Sequence, residues 1–80
     1  MSEVGLAIAD YDTVLELKPM RHDLLNGRGY LHLELGAVDL AIRDFREAIS
    51  ESPSTANYHH SLGDAFYVSG KYAKARETWG

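Results

Sequence analysis

Two adjacent histidines, His59 and His60, followed by Asp64, come nearest in this chain to the spacing of a metal site. His60 and Asp64 stand at i and i+4, which places both on one helix face and lets them offer two ligands to one ion. A structural site needs four. The simpler reading is packing for His59 and groove polarity for His60. The glycines of the run Asn26, Gly27, Arg28, Gly29, Tyr30 are spaced like part of a phosphate cradle. No strand pattern precedes them and no lysine-serine or lysine-threonine pair closes them, so neither a phosphate loop nor a dinucleotide fold is expected. Ser50, Ser52, Ser54, Ser61 and Ser69 lack a histidine and carboxylate arrangement that could activate a nucleophile. With no convergent acid, base and nucleophile, the chain reads as a non-enzyme without cofactor or metal.

Helices must position whatever these residues do. Residues 3 to 17 hold Val4, Ala7, Ile8, Tyr11, Val14 and Leu15 at helical spacing, a stripe that a strand could not keep on one face. Lys18, Pro19 and Met20 break that helix, because proline lacks a backbone donor and biases its predecessor away from helical angles. A second helix is predicted from Arg21 or His22 to Gly36, where glycine accepts the left-handed backbone of a C-terminal stop. A third spans 38 to 51 and ends before Ser52 and Pro53. Ser54 or Thr55 can cap a fourth that runs to about Ser69 and stops at Gly70. A fifth begins near Lys71. Asp39 with Arg43, Glu47 near Arg43, and Lys74 with Glu77 or Thr78 are expected as ion or polar pairs along single helices.

The chain also resembles itself when slid along by thirty-four residues. Gly29 recurs as Gly63, Gly36 as Gly70, Pro19 as Pro53, and Ala7 as Ala41 and Ala75, with Tyr11, Phe45 and Trp79 four residues past the alanines. Gly29 and Gly63 are expected to face Ala41 and Ala75, where small side chains let paired helices approach to about 8 to 10 Å. Tyr11, Phe45 and Trp79 would then fill the space between hairpins. A period of about 34 residues resembles the tetratricopeptide repeat. His22 to Thr55 is similar to one complete copy, with LLNGRGYLHLELG as its first helix and turn and VDLAIRDFREAISESP as its second. Residues 56 to 80 resemble a further copy cut off within its second helix, carrying Leu62, Gly63, Phe66, Gly70, Tyr72, Ala75 and Trp79 in phase. Arg28, His32 and His59 depart from the family pattern, which favours leucine, an aromatic and a large apolar residue in those slots. Arg28 is expected to lay its stem on apolar surface and keep its head in water.

The resemblance implies an all-α, right-handed solenoid of antiparallel helix hairpins with five helices. One domain over residues 1–80 would comprise a half repeat (2–21), a full repeat (22–55) and a truncated repeat (56–80). Eighty residues bury only about 60% of their unfolded surface, so such a domain is marginal unless its helices pack well. A composition of 45% apolar and 25% charged residues fits a folded chain. A net charge of -4 gives no basic footprint for nucleic acid, and absent cysteine excludes disulfides and thiol nucleophiles. No apolar run suits a membrane span and no leader segment opens the chain, so a cytoplasmic protein is the expectation.

Stacked hairpins turn the free faces of their first helices into one concave wall. In the phase given above, that wall carries Asp23, Asn26, Tyr30 and Leu33, then Asn57, His60, Ser61, Asp64 and Tyr67. Tyrosine, asparagine and aspartate together suit a peptide or helix of a partner protein. In the family, many co-chaperone domains grip the C-terminal carboxylate of heat-shock chaperones with lysine, arginine and asparagine along this wall. Here Asn57 and Ser61 stand at the corresponding positions with no lysine, so the resemblance implies no such clamp. Asp23 and Asp64 favour a basic or neutral peptide instead. The alternative expectation is self-association into a homodimer or higher oligomer through Val4, Ala7, Tyr11, Val14 and Trp79.

Overall fold

The computed structural model describes residues 2–17 and 21–79, with side chains described up to Gly70. Four helices follow one another: α1 (Glu3–Leu17), α2 (His22–Glu34), α3 (Val38–Glu51) and α4 (Ala56–Trp79). Local chemistry explains their ends. The Ser2 hydroxyl accepts the Gly5 N–H at 3.0 Å, satisfying one orphan donor of the first turn of α1. At the end of α2, Gly36 adopts φ 77°, its N–H donates to Leu33 O at 3.0 Å, and the Ala37 N–H donates to His32 O at 2.9 Å. Those two bonds are the Schellman stop, in which left-handed glycine reverses the chain. The turn into α4 is closed by Thr55 N–H on Ser52 O at 3.2 Å. The Thr55 hydroxyl pairs with that of Ser52 at 2.7 Å, so it serves the turn where a helix cap was expected.

The expectation of five helices is corrected to four among the described residues. Gly70 keeps a helical backbone, and α4 runs through it from Ala56 to Trp79. An interior glycine costs a helix only about 1 kcal/mol relative to alanine. Here it is followed by alanine, lysine, arginine and glutamate, all strong helix formers. Gly63 and its expected partner Ala75 belong to one continuous helix, so they are not facing slots of two paired helices. The side chains of Tyr72, Ala75 and Trp79, with the expected Lys74 pairing and the proposed role of Trp79 in self-association, lie outside the described residues.

The core is built around α2. Gly27 and Gly29 are two residues apart and therefore about 200° apart around the helix. A Cβ at Gly27 would come within 2.8 Å of the Tyr11 hydroxyl of α1, whereas one at Gly29 would run into the Phe45 ring of α3. The two glycines thus let α2 accept a bulky ring on each of two opposite sides. Beyond them, Leu15, Leu25, Ala48 and Tyr58 form one buried cluster, and Ala41, Phe45 and Ala65 form another.

Arg28 points between those two sides, and its head is tied to carboxylates instead of standing free in water. Its guanidinium donates two bonds of 2.8 Å to the Asp44 carboxylate of α3 and one of 2.6 Å to Asp12 of α1. His32 adds its Nε2 at 3.5 Å from Asp44. The slot that the family fills with leucine has become an ionic bridge among three helices. Arg21, just before α2, likewise reaches Glu47 and Glu51 of α3. Among the described residues the expected Asp39–Arg43 and Glu47–Arg43 pairs do not form. Among the described residues, no helix is long and apolar enough to cross a membrane.

Candidate functional site

With Gly27 turned to α1, Gly29 to α3 and Arg28 between them, one side of α2 remains only partly covered. It carries Asp23, Asn26, Tyr30 and Leu33, as the helical phase requires. Asp23 is exposed, and its Oδ1 accepts the N–H of Leu24 at 2.9 Å. Asn26 is half-buried, and its Oδ1 is shut from solvent with no donor. Leu33 is also half-buried, because it packs on the cluster of Ala41, Phe45 and Ala65. Tyr30 stands its ring edge-on to Phe45 with centroids 5.2 Å apart. Its hydroxyl donates to Asp64 Oδ2 of α4 at 3.2 Å.

On α4, Asn57 and His60 are exposed, Asp64 is half-buried, and Tyr67 leaves 72% of its surface in water. The His60 Nε2 lies 3.5 Å from Asp64 Oδ2. Ser61 does not belong to this surface. It is fully buried, with its hydroxyl donating to Asn57 O at 3.0 Å, since its slot faces the neighbouring helix as Gly27 does one repeat earlier. The fold therefore gathers Tyr30, His60 and Asp64 and sets Tyr67 beside them. It records no contact between Asp23 and Asn57.

Other expectations are redrawn. His59 is exposed rather than packed, and its Nε2 bonds the Pro53 carbonyl at 2.9 Å, which ties the α3–α4 turn to α4. Sequence patterning does not mark His22 and Tyr58 as a pair, yet the His22 Nδ1 meets the Tyr58 hydroxyl at 2.8 Å. Burial, then the negative charge of Asp23, raises the Tyr58 pKa above its ordinary value. Their separation is not the repeat period, so self-similarity gave no sign of them. On α1, Val4, Ala7, Tyr11 and Val14 are half-buried. Ala7, Tyr11 and Val14 join Asp10 and Leu24 around an apolar recess of about 240 Å³.

Tyr30 and Asp64 are thirty-four residues apart, so equivalent slots of successive repeats touch one another. Comparison with known families decides what this stack is. A family model described as tetratricopeptide repeat matches residues 1–56 and, in a second register, residues 38–80. The chain belongs to the tetratricopeptide repeat (TPR) family. It is similar to the human "Tetratricopeptide repeat protein 13", with 32% identity over 74 residues, covering 92% of this chain and 8% of that protein. It is also similar to the "Small glutamine-rich tetratricopeptide repeat-containing protein 2" of Mycosarcoma maydis, with 30% identity over 77 residues, 96% of this chain and 22% of that one. The TPR chain thus spans a small part of each of these relatives. No solved structure matches it. As a member of this family it is an all-α repeat scaffold of the kind used in protein interaction.

Proposed function

We propose that this TPR chain binds a partner peptide or helix in the groove formed by α2 and α4. The observation that supports this reading is the Tyr30–Asp64 hydrogen bond, which ties two repeats into one surface. Beside it the Tyr67 ring is left in water. Tyrosine joins a large apolar body to a polar tip and is a frequent anchor of interfaces. Asp23 and Asp64 favour a basic or neutral partner, and the net charge of -4 disfavours nucleic acid. No catalytic step and no cofactor enter this reading.

The test uses peptides selected by display on the wild-type chain. Tyr67→Ala should weaken the selected peptides by about 2 kcal/mol, as a central tyrosine commonly does. Helicity by circular dichroism should stay unchanged, because the ring is mostly in water. Affinity that survives both Tyr67→Ala and Tyr30→Phe would place the partner on another face.

A second reading is self-association through α1. It is favoured by Leu6 and Leu17 of α1, which keep 51% and 80% of their surface exposed. A second copy covering that side would remove both leucines from water.

A further inference from the structure

Four carboxylates drawn into contacts between helices or across the start of α2 already meet an arginine. Asp12 and Asp44 meet Arg28, and Glu47 and Glu51 meet Arg21. Asp64 is drawn into such a contact too, and there it meets a hydroxyl instead. The His60 ring, 3.5 Å away and itself exposed, stands beyond good hydrogen-bond length. The carboxylate keeps 45% of its side-chain surface open. It is also held in place: Tyr30 is braced against the fully buried Phe45 and pins Oδ2, which leaves Oδ1 with no hydrogen bond among the described residues. Tyr67, three residues on from Asp64, extends the same face of α4 with an open ring.

We propose that Asp64, Tyr30 and Tyr67 form a seat for an arginine side chain, so that this surface selects a partner segment carrying an exposed arginine. The proposal rests on the groove reading above and names the chemistry that reading leaves open. A guanidinium is a planar fork whose two N–H groups match the two oxygens of a carboxylate, and its faces stack on aromatic rings. Lysine brings a point charge without the fork, and fits the arrangement less well. Charge complementarity points the same way, because the wall carries Asp23 and Asp64 and neither lysine nor arginine. A carboxylate already fixed by Tyr30 loses little freedom when the cation arrives.

The probe is a fluorescein-labelled peptide of alternating alanine and serine with one central arginine, beside the same peptide with citrulline, arginine's neutral isostere. Both are titrated against the full chain by anisotropy, with backbone amide shifts mapped by NMR. The arginine peptide should bind about tenfold more tightly than the citrulline peptide, in keeping with a charge-assisted hydrogen bond. Asp64→Asn, which still offers an oxygen to Tyr30, should close that gap while the helical spectrum stays the same. Equal binding of the two peptides, with shifts at Tyr30 and Tyr67, would overturn the arginine seat and leave the groove reading standing. A preference for arginine that persists in Asp64→Asn would overturn it as well. So would the absence of any shift on α2 and α4 at a peptide concentration of about 1 mM, a range in which contacts of about 4 kcal/mol are seen.

Discussion

Arg28 stands where α1, α2 and α3 meet, donating to Asp44 on one side and Asp12 on the other. Its guanidinium is held above its ordinary pKa, chiefly by the hydrogen bond to Asp44, with burial opposing and Asp12 adding to the rise. Asp44 is only 5% exposed, so removing its partner leaves a buried charge with no more than His32 nearby. Arg28→Ala should therefore cost about 3 to 5 kcal/mol in urea unfolding. Replacing Arg28 and Asp44 together by leucine should cost far less or even stabilise, since no charge is then buried unpaired. Equal losses in the two variants would show that Asp44 does not depend on Arg28. Tyr58 supports a different test at this scale. Its folded pKa is raised, so between the unfolded value near 10 and the higher folded value the unfolded chain binds fewer protons. Stability from this group is complete below pH 10 and falls as pH rises above it. Urea melts at pH 9, 10 and 11 should show a steeper alkaline loss in wild type than in Tyr58→Phe, although the variant is weaker at neutral pH for want of the His22 bond.

At the scale of the element, two glycines in the same repeat slot do opposite things. Gly36 turns left-handed and lets α3 fold back on α2, whereas Gly70 stays inside α4. A side chain at Gly36 would be strained in that backbone by about 1 to 2 kcal/mol. At Gly70, where nothing described lies within 4 Å of an added Cβ, alanine should instead stabilise by up to about 1 kcal/mol through helix propensity. Thermal melts of Gly36→Ala and Gly70→Ala should thus move in opposite directions. A fall in both would mean that α4 breaks at Gly70 in the way α2 ends at Gly36.

The whole molecule leaves apolar surface uncovered on α1, which carries the exposed Leu6 and Leu17 and one wall of the Ala7, Tyr11, Val14 recess. Burial at ~25 cal/mol per Å² gives a second copy a reason to cover it. On that reading, sedimentation equilibrium at micromolar concentration should find association that Leu6→Glu abolishes without loss of helicity. Tyr11→Glu should abolish it too, but with lower stability, because Tyr11 also fills the space over Gly27. A monomer throughout that range would remove the self-association reading and leave the groove.

What the sequence determined by itself is what depends on neighbours along the chain. Helical spacing set α1, α2 and α3 within a residue or two, because an apolar stripe, a proline break and a glycine stop are local facts. The thirty-four-residue period named the family and put Asp23, Asn26, Tyr30 and Leu33 on one side of α2. The tertiary structure decided what each slot meets. Ser61 directly follows His60 of the wall, yet it is fully buried, with its hydroxyl on the Asn57 carbonyl. Arg28 looked like a solvated misfit until two aspartates from different helices closed on it. Gly70 matches Gly36 in phase, but a left-handed stop forms only where packing rewards the reversal, as Phe45 does by seating its ring on Gly29. Period and propensity act through the chain, whereas burial and charge pairing act through space, and only the folded arrangement brings those partners within reach.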